Sequence, residues 1–141
     1  MQYASAQDMK DRYPEKDLRE LTDVDGQVIN DDRLDGALAD ASAEIDGYLM
    51  GRYALPLASV PQALVLYCCD IAMYRLQALR PANDIEDAKN RYDSAIRFLK
   101  CVSKGEVQLG VSSSDAPAVQ TEGPIVVTAE RTFSRDSMRG M

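Results

Sequence analysis

Apolar residues follow a helical period along most of this chain and then abandon it. Leu34, Ala37, Leu38, Ala41, Ile45, Tyr48 and Leu49 recur at steps of three and four, which places them on one face of a helix. Asn30 or Asp31 supplies an N-cap, and Gly51 with Pro56 beyond it supplies a stop, so a helix is predicted over 31–50. A second helix is predicted over 61–79, opened by Pro61. Within 63–79, 14 of 17 residues are apolar, with Asp70, Arg75 and Gln77 the exceptions. A helix apolar nearly all round belongs in the middle of a core, and at this length it is too short and too charged to span a bilayer. Its two charges are expected on a solvated edge or paired with a neighbour.

A third helix is predicted over 83–104, capped by Asn83 or Asp84, with Glu86 and Asp87 in the first turn and Gly105 past the end. Ile85, Ala88, Tyr92, Ala95, Ile96, Leu99 and Val102 mark its buried face. Upstream, Ser5 can cap a short helix containing Ala6, Met9 and Tyr13. Pro14 stops that helix and opens another, from which Leu18 and Leu21 face the core. The fold class is therefore mainly α: a small bundle of three main helices with short N-terminal helices, over residues 1–104.

Residues 105–141 read differently. Val107, Leu109 and Val111 alternate as in a strand, Ser112 to Pro117 form a linker, and Pro124 to Phe133 read as a strand or extended arm. A lone hairpin is marginal in water. Ile125, Val126, Val127 and Phe133 are each worth roughly 1.5–3 kcal/mol if buried. Either this arm folds back on its own helices or it pairs with another chain by strand addition.

Charge sharpens the picture. The net charge is −7, which argues against a protein that binds phosphate broadly. From Asp8 to Asp46 there are 13 acidic residues and five basic ones, whereas the last segment carries Arg131, Arg135 and Arg139 against Glu130 and Asp136. Unequal ends of this kind suit head-to-tail subunit contacts.

Candidate chemistry is sparse. The chain has no histidine, which removes Ser-His-Asp and Cys-His catalysis and the commonest metal ligand. There is no Gly-rich phosphate loop, His-Glu-x-x-His, paired CxxC or G-x-S-x-G. Cys68, Cys69 and Cys101 are odd in number and wrongly spaced for a disulfide framework or a zinc site, so they read as small apolar filler. The run Thr22 to Asp31 suggests a calcium loop. Counted from Asp23, however, Gly26 falls fourth and Leu34 twelfth, so it reads as a turn that caps the next helix. No catalytic residue, cofactor or metal is expected. The N-terminus does not read as a secretory signal, and no run of 18 apolar residues suggests a membrane span.

Several blocks carry a resemblance. These are Leu21 to Gly26, Ala37 to Leu57 with its Ala-Glu-Ile-Asp-Gly-Tyr-Leu core, Cys69 to Leu76, Arg91 to Leu99, and the ending Phe133 to Met141 with Phe-Ser-Arg-Asp-Ser. Together they resemble the small head–tail adaptor proteins of Mu-like phages and prophages, over nearly the whole chain and least over 106–124. Cys68-Cys69 is a departure that changes no role.

The resemblance implies a non-enzymatic virion component at the neck: a ring of helical subunits, twelve copies by analogy with portal rings, joining the DNA-filled head to the tail. Its partners would be other copies of itself, the portal protein, and tail-completion or neck proteins. DNA would pass through the lumen without specific binding, along a wall expected to be kept acidic by the early helices or their connecting loop. The C-terminal arm would reach the portal or a neighbour through Ile125, Val127, Arg131, Phe133, Arg135 and Met138. A tail-completion or terminator protein, and a cytosolic protein-binding module, are the rival readings.

Overall fold

The computed structural model describes residues 1–80 and 85–111. Five helices follow one another: α1 (Ala6–Arg12), α2 (Glu15–Thr22), α3 (Asp31–Leu49), α4 (Gln62–Ala78) and α5 (Glu86–Lys104). α4 lies at the centre, packed on α3 and α5, while α1 and α2 lie across α3 and α4. α4 and α5 run antiparallel, since Tyr67 meets Phe98 and Tyr74 stacks on Tyr92.

Local chemistry explains the helix ends. Ser5 caps α1 in a reciprocal box: its Oγ accepts from the Asp8 N–H, and its own N–H donates to the Asp8 carboxylate at 2.8 Å. Those bonds hold the Asp8 carboxyl below the usual carboxylate range. Pro14 opens α2, and the Asn30 side chain caps α3 by accepting from the Arg33 N–H at 3.2 Å. Gly105 ends α5 at φ +81°, in the left-handed region that glycine enters freely. Two expected caps differ. α3 stops at Leu49 with Met50 at its C-cap in a right-handed conformation, so Gly51 contributes no left-handed turn. α5 starts at Glu86 behind Ile85, which makes no side-chain cap. The expected caps Asn83 and Asp84 lie outside the described residues.

The expected core faces are seated as their spacing requires. Leu34, Leu38, Ala41, Ile45 and Leu49 of α3 meet Leu64, Cys68, Ile71, Ala72 and Leu76 of α4, together with Ala95, Leu99 and Val102 of α5, in one cluster. Leu18 and Leu21 close it from α2 and Met9 from α1. Cys68 and Cys69 are fully buried free thiols, and burial pushes Cys69 up to about 12, so both act as filler. Cys101, half-buried, is also free.

The alternation at 107–111 has a different cause from the one expected. Among the described residues there is no strand. Val107, Leu109 and Val111 instead pack on the helices as an irregular docked segment, with Gln108 and Gly110 exposed between them. The Val107 N–H donates to the Cys101 carbonyl and the Leu109 N–H to the Tyr53 hydroxyl. One-sided docking of an extended chain imposes the same two-residue period as a sheet face. The expected arm over 124–141 lies outside the described residues.

Candidate protein-protein interface

Four polar ties hold the helices in register, and they account for both charges of α4. Asp70, which is buried, accepts from the Tyr13 hydroxyl at 2.7 Å. Arg91 lies 3.9 Å from the same carboxylate and over the Tyr13 ring, and it pairs with Asp87 at 3.0 Å. One carboxylate thus links the end of α1, the middle of α4 and the first half of α5. Burial, then the bond to Asp70, raises the Tyr13 phenol above its ordinary value.

On the other flank, Glu44 accepts from Arg75 at 2.7 Å and from the Tyr92 hydroxyl at 2.8 Å, joining α3, α4 and α5. Burial, followed by that bond to Glu44, pushes Tyr92 up to about 12. The third tie is at the N-terminus. The Met1 ammonium pairs with Asp46 at 2.8 Å, the Tyr3 hydroxyl donates to Asp46, and the Tyr3 N–H donates to Ser42. Fourth, Arg80 donates to the Asp23 carbonyl at 2.6 Å, fastening the α2–α3 turn to the end of α4. These groups are consumed by one another, which is a structural role.

The turn from Asp23 to Asn30 behaves as a cap. The Asp23 carboxylate accepts from the Gln27 and Val28 N–H groups, which lowers its pKa, and Gly26 adopts φ +64°. Its Oδ2 is therefore engaged by the backbone of its own turn. Thr22, fully buried, donates to the Leu18 carbonyl and accepts from the Asn30 N–H.

Surface character differs between the two ends of the bundle. At the end made by the last turn of α3, the loop to α4 and the exit of α5, Tyr53 and Leu57 are buried. There the Arg52 guanidinium covers Gly105, and the Leu57 N–H meets the Met1 sulfur. At the opposite end Val24, Val28 and Leu79 stand 76%, 68% and 78% exposed. Between α2, the start of α3 and the end of α4 runs a groove of about 420 Å³. Leu21, Ala37 and Leu76 form its apolar part, and Arg33, Arg75 and Arg80 supply its charge, with Asp40 opposing them.

The acids of the early helices are mostly exposed, including Asp11, Glu15, Asp17, Glu20, Asp32 and Asp35. The expected arm residues Ile125, Val127, Arg131, Phe133, Arg135 and Met138 all lie outside the described residues. The arginine groove was not foreseen. Its members are scattered over 48 positions, from Arg33 to Arg80, and no local spacing marks them.

Among the described residues the body is all helical, with Asp70, Glu44 and Asp46 engaged in internal ties and Val24, Val28 and Leu79 exposed at one end. The family model described as "Bacteriophage Mu, Gp36" matches residues 3–128, and the chain belongs to that family. It is 34% identical to the Mu-like prophage FluMu protein gp36 of Haemophilus influenzae, over 98% of this chain and 96% of that protein. It is 37% identical to gene product J of Escherichia phage Mu, over 96% of each. This is therefore a protein of Mu-like phages. Among the described residues, no helix is long and apolar enough to cross a membrane.

Proposed function

We propose that this phage protein is a head-to-tail adaptor: a non-enzymatic virion component that forms a ring beneath the portal protein and joins the DNA-filled head to the tail. The observation that carries the reading is the exposed end of the bundle, where Val24 and Val28 stand in solvent and Leu79 lines a groove bearing three arginines on an otherwise acidic chain. Apolar surface of this kind is costly for a monomer and useful to an assembly. Membership of a phage family over nearly the whole chain supports the same reading.

In the ring, the helical bodies sit side by side in twelve copies and the C-terminal arm, with Ile125, Val127, Arg131, Phe133, Arg135 and Met138, engages the portal or a neighbouring subunit. Tail-completion or neck proteins dock below. The exposed early acids face the lumen, where like charge lets packaged DNA slide without being held.

Induction of a prophage lacking this gene tests the role by electron microscopy. Full heads beside detached tails are expected. Tails of abnormal length would assign the protein to tail termination instead, and its absence from purified virions would point to an intracellular binding module. Deleting 124–141 is expected to leave the helical circular dichroism intact while heads and tails fail to join. Loss of helicity would show that the tail belongs to the core.

A further inference from the structure

The groove between α2, α3 and α4 combines features that define what fits it. Its apolar part, from Leu21, Ala37 and Leu76, calls for aliphatic side chains. Its charge calls for carboxylates. Arg75 is already committed to Glu44, but Arg80 donates to a neutral carbonyl, and Arg33 makes no ion pair among the described residues. Among the described residues neither Arg33 nor Arg80 has an ion-pair partner, and both line the groove with Leu79, which is 78% exposed. Asp40 also lines the groove and offsets part of that charge.

Beyond Val111 the chain carries a stretch of matching composition. Residues 115–130 hold Asp115, Glu122 and Glu130, no basic residue, and the aliphatic run Ile125-Val126-Val127. Position also matters. The described chain ends at Val111, docked near Tyr53 at the end of the bundle opposite the groove. The 11 residues from Val111 to Glu122 span up to roughly 36 Å when extended. α4, with 17 residues, is about 25 Å long. The connection is thus long enough to reach the groove of its own body or that of an adjacent copy, and the ring proposed above brings the second within the same reach. Because no strand edge is present among the described residues, an incoming segment would be held by side chains, with arginine–carboxylate pairs at its ends.

We infer that residues 122–130 of one copy seat in the Arg33–Arg80 groove of a second copy, Ile125 to Val127 against its apolar part and Glu122 and Glu130 toward the arginines. This deepens the adaptor reading and rests on it, since it requires copies to assemble.

The test uses full-length chains carrying Cys101→Ser, because Cys68 and Cys69 are buried. Leu79→Cys and Val127→Cys are placed on separate chains and co-expressed while a prophage lacking its own copy is induced. Particles are then oxidised, and the linked peptides are mapped by mass spectrometry. Gly36→Cys serves as a second groove position, since a Cβ there meets nothing within 4 Å. The expected result is a cross-chain disulfide joining the Leu79→Cys chain to the Val127→Cys chain at the two substituted positions. It should fall at least tenfold when the groove chain also carries Arg33→Glu and Arg80→Glu, and it should recover when the arm chain carries Glu122→Arg and Glu130→Arg.

Four outcomes overturn the inference. One is joined particles with no such link at either groove position. Another is a link that forms within one chain when a control chain carries both Leu79→Cys and Val127→Cys, but not between the separate chains. The remaining two are a Val127→Cys adduct to a different protein and a link indifferent to the charge reversals. In the first of these the adaptor reading survives. Heads and tails that join normally without the protein would sink the adaptor reading itself.

Discussion

The two ends of this bundle are finished in opposite ways. At one, the N-terminus, the loop after α3 and the segment after α5 converge. Tyr3, Tyr53 and Leu57 are buried there, and Met1, Arg52 and Leu109 are held by local contacts. At the other, the α2–α3 turn and the last turn of α4 leave Val24, Val28 and Leu79 in solvent beside three arginines. The closed end spends its apolar groups on the fold of one chain, though Met50 still projects from it. The open end keeps its apolar groups available. Substitutions at the first should therefore change stability, and substitutions at the second should change assembly.

The largest effect is expected from Tyr53→Ala. It removes a buried ring and the acceptor of the Leu109 N–H, so about 3–5 kcal/mol of stability should go. A thermal melt followed by circular dichroism should drop by roughly 10 °C or more. A melt within a degree or two of wild type would mean that the end is not closed by this residue.

Tyr13→Phe, midway between the ends, is expected to cost about 2 kcal/mol, because the buried Asp70 carboxylate loses a donor. Its pH dependence has a definite sign. The Tyr13 phenol is raised in the folded protein by burial and by Asp70, whereas the unfolded phenol ionises near pH 10. Its contribution is thus complete below about pH 10 and declines as pH rises past that point. Wild type should lose stability more steeply than Tyr13→Phe between about pH 10 and 11.5. Parallel curves in urea titrations would refute this.

Gly105→Ala at the closed end should cost about 1–2 kcal/mol, because φ +81° is unfavourable for a residue with a Cβ. The overlap with Arg52 adds little, since only the tip of a long side chain must move. Smallest of all in stability is Leu79→Ser at the open end, expected within about 0.5 kcal/mol of wild type. Its phage particles should nevertheless show fewer joined heads and tails by electron microscopy. A stable Leu79→Ser protein that assembles normally would erase the distinction between the ends.

How much of this could be read in advance depends on how local the cause is. The caps at Ser5, Asn30 and Gly105 and the turn at Asp23 were legible because each is settled within a few residues. So was the central place of α4, since a helix apolar all round must be covered on most sides. Tyr3 was not, because no periodicity surrounds it and its burial depends on Ser42 and Asp46 of α3. The strand expected at 107–111 misread a period that docking on a helical surface also produces. Ile85 in place of a polar cap for α5 broke a local preference that carries only about 1 kcal/mol.

By itself, the sequence determined which segments become helices, which faces they bury and that the charge is unevenly shared, because propensity, capping and burial act over spans of roughly four to 20 residues. Only the tertiary structure decided that Asp70 and Glu44 would be internal ties, that Arg33, Arg75 and Arg80 would meet at one groove, and which end of the bundle would be left open. Those outcomes depend on how helices distant in sequence cross, and the crossing is set by the packing of all their faces at once.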